Sequence, residues 1–498
     1  MLNLRALATV LPMAFLGCGG GSSTGDVGDD GGPAEDGAVE DVGVEDVAMD
    51  DVGVEDVTTD DGSADEAAGD DGSADAGPGC GNGVLDDGEA CDGAVPDGAS
   101  CEGLGYTTGT LGCTETCTLD ETGCSSVCDN GACERGETAA GCPADCGVVS
   151  VAAGQSHTCV VRADGSLWCW GGWTGHRAGG LGDERVPVKV AGVSGLEDVC
   201  AGVGHGCART SDGRVLCWGR NGFGEAGQSP RHAQIFPPAE VPGLTGATAL
   251  TCGLHHTCVL LGGHARCWGR NDYGQLGTDR TVRHEAPSDV SVSGSSFDSL
   301  GAGARHTCAT SGVGAWRNRW CWGFGGTGAL GSGDLAWTIA PVGGGSLNLV
   351  QVAGGGFHTC SLQRPPLGSG TLSCWGSNEY GQVGVAASGP VLSPTATGLT
   401  GVNLVVLGNA HTCAAGATQT WCWGRNDAGQ LGNGATTSTH VAQSVGLSGV
   451  TALASRWDHT CAILADHTLR CWGRNDRGQL GDGSTEAFRS SPVEPVGL

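Results

Sequence analysis

Between residues 147 and 498 one pattern recurs seven times: His-Thr-Cys (His205-Gly206-Cys207 in the second copy), a short gap, then Cys-Trp-Gly. The histidines are His157, His205, His256, His306, His358, His411 and His459, and the tryptophans are Trp170, Trp218, Trp268, Trp322, Trp375, Trp423 and Trp472. Successive histidines lie 48, 51, 50, 52, 53 and 48 residues apart. A unit of this size cannot bury a core alone, so neighbouring units must cover each other's apolar faces. Strand-like alternation with glycine-rich turns makes each unit a small sheet, and radial repetition of small sheets leaves only short, protected edges. The expected fold over 147–498 is all-β, seven small sheets repeated radially.

The cysteines of each unit set its register. In Cys159-Val-Val-Arg-Ala-Asp-Gly-Ser-Leu-Trp-Cys169 a three-residue loop Ala163-Asp164-Gly165, with glycine left-handed, places Cys159 opposite Cys169. Cys207 and Cys217 bracket Ser211-Asp212-Gly213 in the same way, and Cys258 and Cys267 bracket the two-residue loop Gly262-Gly263. Between Cys461 and Cys471, His467 stands where glycine is expected, a position histidine tolerates better than most residues. Directly opposed strand residues are within disulfide reach. One bridge per unit is therefore expected: Cys159–Cys169, Cys207–Cys217, Cys258–Cys267, Cys308–Cys321, Cys360–Cys374, Cys413–Cys422 and Cys461–Cys471. Cys200 and Cys252 are left over, to pair with each other or to stay as buried thiols.

The fuller motif, Gly-x-x-His-Thr-Cys followed by Cys-Trp-Gly-Arg-Asn-Asp-x-Gly-Gln-Leu-Gly, resembles the repeats of the regulator of chromosome condensation family. The cleanest copies are Trp268–Gly277, Trp423–Gly432 and Trp472–Gly481. The resemblance covers about 350 residues and implies a seven-bladed propeller. The chain ends Ser-Ser-Pro-Val-Glu-Pro-Val-Gly-Leu, and a similar Pro-Val approach precedes several units internally. A C-terminal strand sharing a blade with 148–162 is therefore expected to close the ring.

The remainder is organised by charge. Residues 19–79 hold 20 acids and no Lys or Arg, 80–146 hold 13 acids and one Arg, and 147–498 hold 22 acids and 22 bases. No basic patch of the kind a DNA-binding domain carries accompanies this balance. The chain opens with a cation, an apolar stretch from Ala6 to Leu16, then Gly17-Cys18. This reads as a signal peptide over 1–17 and resembles a bacterial lipoprotein processing box, implying acylation of Cys18 and an anchor in the outer membrane. Residues 18–79 are a low-complexity acidic tether with too little apolar surface to fold. Residues 80–146 carry ten Cys, an even number that implies a disulfide-rich module, similar to the small cysteine-rich repeats of bacterial surface proteins. Asp86, Asp87, Glu89, Asp92, Asp129, Asn130, Glu137 and Asp145 are weak calcium candidates there; solubilising acids on a stapled loop explain them more simply. No other cofactor is expected.

Positions kept among the seven units serve what the units share. The histidines are expected to bond backbone of their own or the next blade, the tryptophans to pack between blades, and the Gly-Gln-Leu-Gly stretches to form turns. Positions that vary at a kept loop are the better binding candidates. The pairs before each histidine are Gln155-Ser156, Val203-Gly204, Leu254-His255, Ala304-Arg305, Gly356-Phe357, Asn409-Ala410 and Trp457-Asp458. Before Gly-Gln-Leu-Gly stand Phe223, Tyr273, Thr327, Tyr380, Ala428 and Arg477. Exposed aromatics beside arginine suit a protein-binding hot spot. No nucleophile elbow, zinc-protease helix or phosphate-binding loop is present. The expectation is an exported, surface-anchored, non-catalytic propeller binding a protein or glycan and no nucleic acid. A secreted hydrolase, lyase or enzyme inhibitor is the alternative. The namesake activity of the family, nucleotide exchange on a small GTPase, fits poorly with export and with a repeat region holding a single Lys, Lys189.

Overall fold

A computed structural model describes residues 80–81, 85, 89–104, 106–128, 130, 137, 141–172, 183–229, 234–278, 283–290, 296–313, 316–365 and 370–498. The signal segment, Cys18, the acidic tether, Asp86, Asp87 and Asp129 lie outside the described residues. Among the described residues no helix is long and apolar enough to cross a membrane.

Seven four-stranded antiparallel sheets follow one another along the chain, over 148–189, 196–240, 247–289, 297–347, 349–400, 402–444 and 450–493. They are blades 1 to 7 of the propeller. In each, the four strands pair in chain order; in blade 1 they are β1 Val148–Ala153, β2 His157–Arg162, β3 Leu167–Gly171 and β4 Glu184–Lys189. The first strands of adjacent blades pack on one another and surround the axis. The second and third strands are largely buried between blades. The fourth is the outer edge, and its residues are mostly exposed or half-buried.

The glycine of Cys-Trp-Gly has a local cause. Gly171 sits at φ 98° where the register between the third and fourth strands shifts, and a Cβ there would lie 2.4 Å from the Ser156 carbonyl oxygen. The same shift recurs at Gly219, Gly269, Gly323, Gly376, Gly424 and Gly473. Only glycine fits this bend, and it swings the chain outward into the long loop between the third and fourth strands.

Adjacent blades are joined by a repeated hydrogen-bonded joint. Trp322 Nε1 and Thr307 Oγ1 of blade 4 both donate to the Gln275 carbonyl of blade 3, at 2.9 and 2.8 Å. The Thr307 hydroxyl has then spent its only hydrogen, so it accepts from His256 Nε2 of blade 3 at 2.9 Å. His306 with Thr359 and His358 with Thr412 make the same contact one and two blades further on. The histidine partner is thus a side-chain hydroxyl of the next blade, where backbone was expected. Removing that hydroxyl without changing shape, Thr412→Val, leaves the His358 N–H buried and unpaired. The expected cost is about 1–3 kcal/mol, read as a lower denaturant midpoint at unchanged slope.

Ring closure departs from the sequence expectation. The last strand, Phe488–Val493, pairs inside blade 7, and residues 148–189 complete blade 1 unaided. The seam is closed by the same joint as the others: His459 Nε2 meets Thr158 Oγ1 at 3.0 Å, and Thr158 and Trp170 donate to the Gln479 carbonyl. Arg162 Nη2 adds a bond to the Gly497 carbonyl at 2.8 Å. Blade 2 has Gly206 where the other blades have threonine, and the Trp218 ring occupies the vacated space, 2.5 Å from where a Cβ of Gly206 would stand.

Twelve disulfides are present among the described residues. Seven are the intra-blade bridges Cys159–Cys169, Cys207–Cys217, Cys258–Cys267, Cys308–Cys321, Cys360–Cys374, Cys413–Cys422 and Cys461–Cys471. Cys200 and Cys252 pair with each other and tie the first strands of blades 2 and 3. The N-terminal module contributes Cys80–Cys117, Cys91–Cys113, Cys101–Cys124 and Cys128–Cys142 around two small two-stranded sheets. So many disulfides belong to an extracytoplasmic protein.

The module runs into blade 1 through the short helix Pro143–Cys146. There the Asp145 and Gly147 carbonyls accept from Asp164 and Ala163, and the Val148 amide donates to the His467 carbonyl. Asp164 and His467 are tips of hairpins between second and third strands. In a meander those tips emerge at the end opposite to the turns joining first to second and third to fourth strands. The N-terminal module therefore enters on one end of the propeller, and both sets of variable loop residues lie on the other.

Candidate functional site

That second end is built from two loops per blade. In the longer one, side chains of kept residues hold the backbone. Asn271 Oδ1 accepts from the Leu276 amide and Gln275 Oε1 from the Tyr273 amide, each at 3.0 Å. Asn378 with Gln382, Asn426 with Gln430 and Asn475 with Gln479 repeat the pair of bonds. The leucine or valine directly after each glutamine is buried, so the loop is anchored from below. The residue whose amide the glutamine holds is left on the rim: Tyr273, Tyr380, Ala428 and Arg477. In blade 2, Glu225 takes the glutamine's place and holds Phe223.

Over blades 2 to 5 these residues form an aromatic and arginine arc. The Phe223 ring lies 4.9 Å from that of His255, with the Arg270 and Arg283 guanidinium groups each 4.9 Å from its centre. Tyr273 packs edge-on against Phe324 at 5.1 Å, and Phe324 against Phe357 at 5.9 Å. Arg305 lies over both Tyr273 and Phe357 and donates to the Tyr273 hydroxyl. Leu254 is half-buried beside His255. Planar cations over ring faces at a partly exposed rim combine apolar area with spare N–H donors.

Over blades 6, 7 and 1 the rim is polar. Arg425 covers Tyr380, and Asn409 bonds through its amide to the Trp457 carbonyl at 2.7 Å. Two clefts meet here, sharing Gln155, Ser156 and Arg477. One, about 390 Å³, is also lined by Asp183, Val203 and Arg220; the other, about 230 Å³, by Trp457, Arg474 and Asp476. Arg477 faces Asp183 at 3.4 Å, while Arg220 is exposed and has no carboxylate partner among the described residues. Asp458 is only 4 % exposed, which removes it from the contact surface. It sits beneath the rim, 3.5 Å from Gln430 Nε2 and 3.7 Å from Arg474. Burial raises its carboxyl pKa, and the nearby Arg425 and Arg474 charges offset only part of that rise.

Arg270, Arg283, Phe324, Arg425 and Arg474 complete this face without having stood out in the sequence. Arg270, Arg425 and Arg474 belong to the kept Gly-Arg-Asn-Asp stretch, so repetition assigned them to the fold. Their guanidinium groups nevertheless reach the rim.

The calcium candidates do not assemble a site among the described residues. Glu89 and Asp92 gather near Cys117, and Glu137 near Cys128 and Cys142, but those sulfurs are in disulfides and offer no thiolate. Asp145 is buried and accepts from the Asn130 amide at 3.2 Å. Two carboxylates fall well short of the roughly six to eight oxygens calcium takes.

The geometry agrees with the comparisons. Residues 148–172, 197–225, 247–275 and 450–479 match one model of the regulator of chromosome condensation (RCC1) repeat, and 212–260 and 263–310 match a second. The chain is similar to the RCC1 repeat over those stretches, which fall in blades 1 to 4 and 7 of the seven-bladed propeller. Among solved structures it is similar to human WBSCR16, with 20 % identity over 64 % of this chain and 88 % of that one, at a TM-score of 0.57. It is also similar to Prp20p of Saccharomyces cerevisiae, described with its binding to Gsp1p and histones. That likeness has 19 % identity over 66 % of this chain and 85 % of the other, at a TM-score of 0.58. At these identities the likeness shows the RCC1-type fold alone. No curated protein matches the chain in sequence.

Proposed function

We propose that this RCC1-repeat protein is a non-catalytic recognition propeller, displayed outside the cytoplasm, which engages a protein or glycan partner through the rim of blades 1 to 7. The observation that carries this reading is the continuous set of arginines and aromatics at the end of the propeller opposite the N-terminal module.

Exchange activity of the kind suggested by the family name is not favoured. Twelve disulfides and a repeat region of zero formal net charge suit neither a cytosolic GTPase nor a histone surface.

The test is crosslinking on intact cells followed by recovery of partners with wild-type chain, Arg305→Ala with Phe357→Ala, and Trp457→Ala with Arg477→Ala. Truncating a hot spot costs about 2 kcal/mol or more, so partner recovery is expected to fall by about thirtyfold in at least one pair. Glycosidase treatment of the cells separates a glycan from a protein partner. Unchanged recovery in both double variants sinks the rim as the binding face. Intact-mass analysis of the mature chain tests the anchor separately, and an unmodified Cys18 rules it out.

A further inference from the structure

In six blades the residue three before the histidine is glycine: Gly154, Gly202, Gly253, Gly303, Gly355 and Gly408. The reason is steric. A Cβ on any of them would stand 2.0–2.6 Å from an atom of that blade's own histidine ring. Blade 7 alone breaks the rule with Arg456. Its first strand runs through to Arg456, which pairs with His459, and Trp457 takes a left-handed φ of 53° to turn the chain. The long side chain leaves the wall and enters the axial channel.

In a ring of seven, blades 3 and 4 lie across the axis from blade 7. Arg456 spans that distance: Nη2 donates to the Cys252 carbonyl of blade 3 and to the Ala302 carbonyl of blade 4. The guanidinium borders two cavities formed by the first strands, of about 150 and 170 Å³. Their walls are small and apolar apart from Thr251, Gln351 and Ser455, and neither contains an Asp, Glu or Lys. Burial lowers the Arg456 pKa to about 10, so the group remains a cation at neutral pH. The rings of His256 and His306, close enough to feel this charge, are held neutral by burial and add no second cation.

The donor count leaves capacity over. A guanidinium carries five N–H groups. Nη2 uses its two on carbonyl oxygens, and neither Nε–H nor the Nη1 hydrogens have a protein acceptor among the described residues. Arg456 is half-buried, so its charge meets the solvent of the channel, and no carboxylate lines either cavity to neutralise it. Nη1, whose two hydrogens are uncommitted, can donate a charge-assisted bond to a carboxylate oxygen.

We propose that the axial channel is a site for a small monocarboxylate, held by an Nη1–H and the charge of Arg456 with its apolar end against the alanine and valine walls. The single cation sets the charge of the ligand, since a dianion would bring a second negative charge with nothing to meet it. The volume sets its size. At about 30 Å³ per water, 150 Å³ holds roughly five water-sized groups, which suits acetate or the terminal residue of a peptide. The same chemistry is available from a free carboxylate in solution and from the C-terminus of a partner entering along the axis.

The experiment is calorimetric titration of the oxidised full chain with acetate, with acetamide as its uncharged isostere, and with alanyl-alanine bearing a free or an amidated C-terminus. Acetate is expected to bind at least tenfold more tightly than acetamide. Arg456→Gly restores the residue of the other six blades and is expected to bring acetate down to the acetamide level. Arg305→Ala, on the rim, is expected to leave acetate binding unchanged, so failure of the rim reading and failure of this one are separable. Binding of the free-ended dipeptide but not its amide assigns the channel to a chain terminus; binding of acetate with neither dipeptide assigns it to a free carboxylate. Equal affinity for acetate and acetamide, or unchanged acetate affinity in Arg456→Gly, overturns the proposal. Should that variant fail to fold, Arg456→Gln, which keeps a polar side chain and loses the charge, is expected to lose the same tenfold, and unchanged acetate binding there overturns it too.

Discussion

Acidification from pH 7 to 5 is expected to unfold the oxidised propeller, with close to six protons taken up by each molecule that unfolds. The source is the ring of histidines at the blade joints. Burial depresses His205, His306 and His459 to about 4 and His358 and His411 to about 3, and holds His256 well below its ordinary value. The joint explains why burial has so little to offset it. Nε2–H is already donated to the threonine of the next blade, and Nδ1 of all six is buried with no partner, so an added proton there finds no acceptor. Below pH 6.5 the unfolded chain protonates these residues and the folded chain does not. Stability is therefore fully present above 6.5 and falls as the pH drops toward the folded-state values. At about 1.4 kcal/mol per proton and pH unit, six histidines give a slope of roughly 8 kcal/mol per unit, against a typical domain stability of about 5–15 kcal/mol. Asp198 and Asp458, whose pKa values burial raises, act in the opposite sense and soften the slope at its acid end. Guanidinium unfolding at pH 7, 6.5, 6 and 5.5 measures the slope, and His411→Gln is expected to reduce it by one proton. A flat profile over that range would mean that the rings are protonated in the fold.

The blade count was legible because a 50-residue period with a paired Cys in each copy leaves few other ways to bury seven tryptophans. Ring closure was misread, and the fold explains how. The Pro-Val approach that seemed to open units instead ends them. Pro187, Pro237, Pro287, Pro341, Pro394 and Pro492 all lie in fourth strands, the exposed edge where a residue without an N–H is tolerated. Read that way, Ser491-Pro492-Val493 completes blade 7 and lends no strand to blade 1. The rim was half legible. Variation among copies singled out Phe223, Tyr273 and Phe357, but the same logic assigned Arg270 and Arg425 to the fold, because repetition cannot distinguish a residue that holds a loop from one that is displayed on it. Arg456 is the converse case. Its departure from six glycines is visible in the sequence, but its reach across the axis depends on the ring's diameter, which no single repeat encodes.

Reduction is expected to abolish the propeller, yet only after the propeller has opened. All fourteen cysteines of the intra-blade bridges are fully buried, so a thiolate cannot approach them in the folded chain. Cys80 and Cys128 of the N-terminal module are exposed, and Cys200 is half-buried on the channel wall. Dithiothreitol under native conditions, followed by alkylation and mass analysis, should therefore label the module first and Cys200–Cys252 next, leaving the seven blade bridges intact. With guanidinium added, all should go together. The reduced chain is then expected not to refold when denaturant is removed with reductant still present. The blade loops close only 9–14 residues, for which chain entropy allows at most about 3 kcal/mol each. Because each hairpin is already local, about 1 kcal/mol is the safer figure. Even so, seven such contributions equal a typical domain stability. The loss also compounds around the ring, since each blade buries its tryptophan against the loop of the one before it and a single open blade exposes two seams. A reduced chain that regained native near-ultraviolet dichroism and a melting temperature within a few degrees of the oxidised one would show that packing and the histidine joints suffice alone. The argument for an oxidising compartment would then rest on the module's cysteines.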